Sequence, residues 1–190
     1  MPHLQPRSSS NHLSQTSLTS LVPLSVSENP GEVNDYDLEV AIVIAEGDIH
    51  TAEALREILG DLNHLIVIVN TVDQVWTILE QYIVKLLVLD SSLPPLGGYE
   101  LCRVLRQTVN HCSLPILLTG FRNDIGFTER AFEMGATDYL TKPFYTLEIL
   151  SRVRTQLSLL SLQRRVFEQL EEQRMGYRVK AKFQGMKNKV

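Results

Sequence analysis

The sequence predicts an α/β domain built on a doubly wound, five-stranded parallel sheet. From Val40 onward, short apolar runs rich in β-branched residues alternate with stretches of helical periodicity. The alternation repeats five times with short connections, which favours parallel strands with helices on both faces of the sheet. The runs are apolar throughout, as expected of strands that are buried on both faces.

The first half of this region contains two strand–helix pairs. Residues 40–45 (VAIVIA) form a β-branched run typical of a buried strand. Residues 51–59 (TAEALREIL) place their apolar side chains at helical spacing, and Gly60 is a natural helix stop. Residues 65–69 (LIVIV) predict the second strand. Thr71 predicts an N-cap, because an apolar stripe at helical spacing follows it: Val72, Val75, Trp76 and Leu79.

The second half repeats the pattern and contributes the last three strands. Residues 86–90 (LLVLD) end in an acid, and the loop SSLPPLGG separates them from the next helix. The fourth and fifth strands are predicted at 115–119 (PILLT) and at 138–140 (DYL). The helices of this half are predicted at 99–109, at 124–134 and from Thr146 onward.

Composition divides the chain into three parts. Of its 190 residues, 44% are hydrophobic and 21% are charged, as expected of one globular domain with appendages. Residues 1–38 are rich in Ser and Thr and lack periodicity, so we expect a disordered tail. Residues 39–150 are the predicted folded domain. Residues 151–190 hold 10 basic and 3 acidic side chains, and they predict an extended amphipathic helix followed by a basic tail.

Cysteine content and hydropathy favour a cytoplasmic protein. Cys102 and Cys112 form no CxxC pair and no disulfide framework, which is typical of a reduced compartment. No apolar stretch approaches the roughly 18 residues that span a bilayer, and the N-terminus lacks a secretory pattern. The hydroxyl-rich stretch before Glu28 has some features of an organelle transit peptide. Its single arginine, Arg7, favours a plain tail instead.

Polar side chains follow four of the predicted strands. Glu46 and Asp48 follow the first, while Asp90, Thr119 and Lys142 follow the third, fourth and fifth. Because parallel strands end at one edge of the sheet, these groups should lie together there. Carboxylates that cluster repel one another unless a cation lies among them, and their oxygens suit Mg²⁺. A lysine and a hydroxyl opposite a metal can hold phosphoryl oxygens, and Asp90 could act as the nucleophile.

Two segments carry a specific resemblance. LVLDSSLPPLGGYELCRVLR and RAFEMGATDYLTKPF resemble the receiver domain of bacterial response regulators, over about residues 40–150. The resemblance implies a flavodoxin-like sheet with strand order 2-1-3-4-5. It also implies that Asp90 accepts a phosphoryl group, that Thr119 and Lys142 bind its oxygens, and that Tyr139 is the aromatic switch residue.

The opening segment VIAEGDIH departs from the family pattern. The family places two adjacent acids after its first strand, and here Glu46 is followed by Gly47. The resemblance therefore implies a weakened Mg²⁺ site made of Glu46, Asp90 and the backbone carbonyl of Ser92. Asp48 is a further candidate ligand, since glycine lets the backbone turn freely before it.

These features predict a signalling protein and not an enzyme in the ordinary sense. The resemblance implies a response regulator of a two-component phosphorelay, which accepts a phosphoryl group from a histidine kinase or a histidine phosphotransfer protein. It would signal through protein–protein contacts, without a DNA-binding output domain. The alternative is a pseudo-receiver, an interaction or dimerisation module that acts without phosphorylation.

The long final helix leaves two interpretations open. A heptad-like stripe favours a coiled coil and a homodimer through residues 147–172, and the other interpretation is a helix folded back on the domain. The stripe consists of Leu150, Val153, Leu157, Leu160, Phe167 and Leu170. From Gln173 the chain is basic, so contact with nucleic acid is a lower-ranked alternative to a solvated end.

Overall fold

The structure, a computed structural model, describes residues 39–122 and 124–187, and the side chains up to residue 175. All strand pairs are parallel, and the sheet has the order β2-β1-β3-β4-β5. The doubly wound, flavodoxin-like fold is therefore confirmed. The predicted disordered tail, residues 1–38, lies outside the described residues. The strands are β1 (Glu39–Ala45), β2 (Ile66–Val69), β3 (Ile83–Asp90), β4 (Ile116–Phe121) and β5 (Asp138–Lys142).

Five helices connect and follow the strands. They are α1 (Ile49–Gly60), α2 (Val72–Gln81), α3 (Gly98–Gln107), α4 (Phe127–Glu133) and α5 (Thr146–Lys187). Thr71 caps α2 as predicted, because its side chain accepts a hydrogen bond from the backbone N–H of Gln74. In the part of the chain that the structure describes, no helix is long and apolar enough to cross a membrane.

Two element boundaries differ clearly from the sequence-based predictions. β3 begins at Ile83 and not at residue 86. Lys85 interrupts the apolar run in the sequence, but Ile83 and Val84, which precede it, still pair with the first two residues of β1. α4 begins at Phe127 and not at residue 124. The preceding Gly126 has φ +79°, a left-handed conformation that interrupts helical geometry before that point.

The core consists of two apolar layers, one on each face of the sheet. The layer between the sheet and helices α2, α3 and α4 includes Val75, Leu105 and Phe127. The layer between the sheet and helices α1 and α5 includes Leu55 and Val153. This double coverage explains why the strands are apolar on both sides.

Helix α5 changes its surroundings along its length. Leu150 and Val153 are buried in the domain's own core, and Leu157 packs against the same cluster. Farther along, Phe167 and Leu170 are 64% and 53% exposed. The first half of the predicted coiled-coil stripe is thus occupied by the domain itself. Only the second half is open to a partner.

Gly98, the first residue of α3, is expected to tolerate no side chain. A Cβ there would lie 2.0 Å from the backbone carbonyl oxygen of Asp90, so the backbone would have to move. We expect Gly98→Ala to lower the free energy of unfolding by about 2 kcal/mol in denaturant titrations. Gly60→Ala is the matched control, because nothing lies within 4 Å of its Cβ. Equal effects of the two substitutions would contradict this explanation.

Candidate functional site

The candidate site lies at the edge where the parallel strands end. Asp90 is the last residue of β3 and pairs with Thr119 of β4, so the two side chains arise side by side. Lys142 is the last residue of β5, and Glu46 directly follows β1. All four residues are at most 9% exposed. The structure therefore brings together the residues that the sequence placed at the strand ends.

Lys142 joins the two carboxylates. Its Nζ donates to Oε2 of Glu46 at 2.7 Å and to Oδ1 of Asp90 at 2.8 Å. Burial of the ammonium lowers the pKa of Lys142, but the hydrogen bonds and charges of Asp90 and Glu46 outweigh burial and leave this pKa above its ordinary value. The site thus holds a charged lysine between two acids.

Thr119 contributes a hydroxyl that is buried and has no partner. The residue is 1% exposed, and its Oγ1 is the only fully buried side-chain oxygen or nitrogen without a hydrogen bond among the described residues. A buried hydroxyl without a partner is unfavourable, because it has lost its hydration and gained nothing in return. Such a group indicates a position prepared for an incoming polar atom.

The second oxygen of Asp90 is held by the loop that follows β3. Ser92 donates its hydroxyl to Oδ2 at 2.6 Å, and its backbone N–H lies 3.3 Å from the same oxygen. Both carboxylate oxygens of Asp90 are therefore hydrogen-bonded, one to a cation and one to a hydroxyl. The hydroxyl can rotate away, whereas the lysine is fixed by two acids.

Asp48 lies at the beginning of α1 and serves as its N-cap. Its Oδ1 accepts from the backbone N–H of Thr51 at 2.8 Å and from the Thr51 hydroxyl at 2.7 Å. These hydrogen bonds lower the pKa of Asp48. This use of the side chain competes with the role of metal ligand that the sequence suggested, and it was predictable from the residue type, because Asp is a preferred N-cap.

The donor set for a cation is small. In the described ranges, no group of three or more His, Cys, Asp or Glu side chains is placed to hold a metal ion. Glu46 and Asp90 are the two buried carboxylates of the site, and the carbonyl of Ser92 follows Asp90 in the chain. Mg²⁺ is often held by one or two carboxylates with water in its other positions, so this set fits a weak magnesium site.

Tyr139 belongs to an aromatic cluster beside the site. Its ring meets Phe127 at 6.0 Å and Phe132 at 5.7 Å between centroids, both edge-to-face. The Arg152 guanidinium lies 5.3 Å from the Tyr139 centroid, while Arg152 also donates to both oxygens of Asp138. Tyr139 thus contacts α4 and α5 together.

Sequence reasoning missed Phe127. Its ring occupies the space where a Cβ of Gly120 would lie, with the nearest ring atom 2.3 Å from that point. Gly120 follows Thr119 in β4, so Phe127 packs against the strand one residue beyond Thr119 and contacts Tyr139 there. The only signal was Gly120, directly after the predicted fourth strand, because a glycine at a strand end often marks a close approach of another group.

The fold and the site define a doubly wound α/β protein with two acids, a lysine and a buried hydroxyl at the ends of its strands. The chain belongs to the response regulator receiver domain family, whose model matches residues 42–154, more than half of the chain.

Individual relatives agree with this assignment. The chain is similar to Protein RcaC of Microchaete diplosiphon, with 28% identity over 66% of this chain and 19% of RcaC. It is 33% identical to response regulator RppA of Synechocystis sp., over 60% of this chain and 48% of RppA. The chain thus spans less than half the length of either relative.

A solved structure has the same fold. The receiver domain of a signal transduction histidine kinase from Syntrophus aciditrophicus matches with a TM-score of 0.58 and 28% identity. The match covers 63% of this chain and 90% of that chain. The match therefore covers an extent of chain close to that of the folded domain.

Proposed function

We propose that this chain is a phosphoacceptor of two-component signalling and that Asp90 receives the phosphoryl group. The observation that carries the proposal is the hydroxyl of Thr119, which is buried beside Asp90 without a partner. A phosphoryl oxygen on Asp90 would accept its hydrogen bond. Lys142 would supply positive charge to a second phosphoryl oxygen while remaining paired with Glu46.

The transfer forms one bond and breaks one. A carboxylate oxygen of Asp90 attacks the phosphorus of a phosphohistidine on a histidine kinase or phosphotransfer protein, and the P–N bond breaks as the O–P bond forms. The electron pair of the P–N bond leaves with the donor imidazole, which departs neutral because its other nitrogen carries a proton. Oδ2 is the more accessible oxygen, since only the rotatable Ser92 hydroxyl and a long backbone contact hold it.

Magnesium fits this proposal as a weakly held cofactor. Glu46, Asp90 and the carbonyl of Ser92 would hold it, with Asp48 as a further candidate if it leaves its N-cap role. When bound, Mg²⁺ supplies positive charge against the phosphoryl oxygens. Lys142 already neutralises part of the carboxylate charge, so the residues themselves favour only modest affinity.

Tyr139 is the proposed route by which the state of Asp90 reaches the surface. It lies between α4 and α5 and touches Phe127, which packs on Gly120, the residue after Thr119. A movement of Thr119 toward a phosphoryl group would shift the β4 backbone at Gly120, and Phe127 and Tyr139 would move with it. The changed face of α4, β5 and α5 would then be read by a protein partner.

The runner-up is a pseudo-receiver that acts without phosphorylation. Gly47 stands where the family places a second acid, and both oxygens of Asp90 already have partners within the protein. A phosphoacceptor carboxylate whose oxygens are both satisfied without a metal is what a domain retained for its surface would show.

The helix beyond the domain supports two further proposals. A homodimer through residues 147–172 would use the exposed second half of α5, because the first half packs on its own domain. Contact of the basic tail with nucleic acid ranks lower, because a run of like charges is more often a solvated end of the chain.

Phosphorylation can be tested by treating the chain with a small phosphodonor such as acetyl phosphate, with and without Mg²⁺, and measuring intact mass. We expect a Mg²⁺-dependent adduct that is absent in Asp90→Asn. In Thr119→Val we expect the rate of labelling to fall at least tenfold, because one hydrogen-bond donor to the phosphoryl group is lost. The free energy of unfolding of Thr119→Val should be unchanged or raised by about 1 kcal/mol, since the hydroxyl has no partner to lose.

Two results would contradict the proposal. An unlabelled wild-type chain, under conditions that label an ordinary receiver domain, would leave the pseudo-receiver as the better explanation. An adduct that persists in Asp90→Asn would place the reaction elsewhere on the chain.

A further inference from the structure

A large groove lies at the opposite edge of the sheet from the candidate site. Its volume is about 1030 Å³, near the upper end of the usual range for binding pockets. One wall is the part of α5 around Leu157 and Leu160, and the other is formed by the N-terminal end of β3 with the end of α2. Ile83, at the mouth of the groove, is 57% exposed. The groove thus offers apolar surface that the domain does not cover.

The charged residues of the groove are mainly basic. Lys85, Arg154 and Arg164 line it with His64 and His111, against a single acid, Glu80. Arg154 is exposed and has no hydrogen bond or ion pair with any described residue. An occupant that fits must combine apolar side chains with negative charge.

The chain itself enters the fold beside this groove. β1 begins at Glu39, which pairs with Ile83, and Ile83 lines the groove. The described fold therefore begins, at Glu39, beside the groove mouth. Residues 28–38 (ENPGEVNDYDL) contain four acids, no lysine or arginine, and the apolar side chains Val33, Tyr36 and Leu38.

We propose that the groove binds residues 28–38 of the same chain. The acids would face Arg154 and its basic neighbours, and the apolar side chains would cover the surface around Ile83. The attachment at Glu39 makes this binding intramolecular, so a weak contact would suffice; short tethers give effective concentrations on the order of millimolar. Because α5 forms one wall, the segment would also tie the long helix to the domain. The proposal does not depend on phosphorylation of Asp90.

The test uses the full chain and a synthetic peptide of residues 28–38 with a fluorescent label. In one variant of the full chain, the four acids within residues 28–38 are neutralised (E28Q, E32Q, D35N and D37N), which frees the groove. We expect the peptide to bind this variant about tenfold more tightly than the wild type, whose own segment competes. Binding should weaken with added salt. Trp76 gives a local signal, because its ring packs 6.1 Å from that of His111 in the groove wall.

Charge reversal of one groove residue provides the matched control. Arg154→Glu in the neutralised chain should weaken peptide binding at least tenfold, whereas Arg56→Glu, which lies on α1 outside the groove, should not change it. The unfolding midpoint of the Arg154→Glu variant should match that of its parent, since Arg154 is exposed, whereas Arg56→Glu should lower the midpoint slightly through loss of its exposed ion pair with Glu53.

Three outcomes would overturn the proposal. No binding to the neutralised chain would exclude this segment as the occupant. Binding that is equal with and without Arg154 would place the peptide elsewhere. Equal binding to the wild-type and neutralised chains would show that the groove receives the segment only from another molecule.

Discussion

Replacing Lys142 by methionine is expected to lower the free energy of unfolding by about 3 kcal/mol, because it leaves two buried carboxylates without their shared counter-charge. Glu46 and Asp90 are 3% and 4% exposed, and the lysine Nζ lies within 2.8 Å of an oxygen of each. Methionine fills most of the lysine volume, so the change is mainly electrostatic. Denaturant titrations near neutral pH measure the effect.

A second substitution separates charge from packing. Adding Glu46→Gln to Lys142→Met should recover at least half of the lost stability, because only one charged carboxylate then remains buried. A cost below about 1 kcal/mol in Lys142→Met would show that water reaches the site and that the pair contributes little.

The wild-type lysine also predicts a limit at high pH. Its pKa in the folded protein is raised above the ordinary 10.5, so its ionic contribution to stability is complete below that value. The contribution is lost as the pH rises through the folded-state pKa. Lys142→Met lacks this titration, so the stability difference between the two proteins should narrow in strong alkali.

The edge that carries the site could be predicted because it depends on chain direction alone. Parallel strands end on the same side of a sheet, so Asp90, Thr119 and Lys142 had to meet once the strands were identified. The strands themselves could be identified because helices cover both faces of the sheet, so the strand sequences are apolar throughout.

The contacts within the site depend on side-chain choices that the order of residues does not determine. Asp48 could face a cation or cap α1, and its nearest donors are the backbone and hydroxyl of Thr51. Phe127 reaches Gly120 only because the loop before α4 ends in a left-handed glycine. The heptad-like stripe on α5 is interrupted in sequence only at Gln163 or Arg164, yet it is buried near Val153 and exposed near Leu170, because the domain ends between them.

Gly47 is the residue whose replacement should most increase metal affinity. It has no left-handed φ, and a Cβ there would meet only Pro94 Cδ at 3.4 Å, an ordinary van der Waals distance. The Cβ of an aspartate is therefore accommodated without backbone movement. This aspartate follows Glu46 directly and gives the adjacent pair of acids that the resemblance to receiver domains implies after the first strand.

We expect Gly47→Asp to raise Mg²⁺ affinity at least tenfold, because a third carboxylate adds attraction for the dication. At about 4 Å this attraction is worth well over the 1.4 kcal/mol that corresponds to a tenfold change in affinity, even in a partly hydrated site. Without Mg²⁺ the same acid repels its neighbour Glu46, so the variant should be slightly less stable than the wild type and gain more from added Mg²⁺. Isothermal calorimetry is the suitable measurement, because the fluorescence of the single tryptophan would not report on the site. Trp76 packs on His111 in the groove wall, at the opposite edge of the sheet. Gly47→Asn, which adds the same bulk without charge, should leave the affinity within about twofold of the wild type. If the two variants bind Mg²⁺ equally, the missing acid is not what limits the site, and the pairing of Lys142 with both carboxylates becomes the explanation to test next.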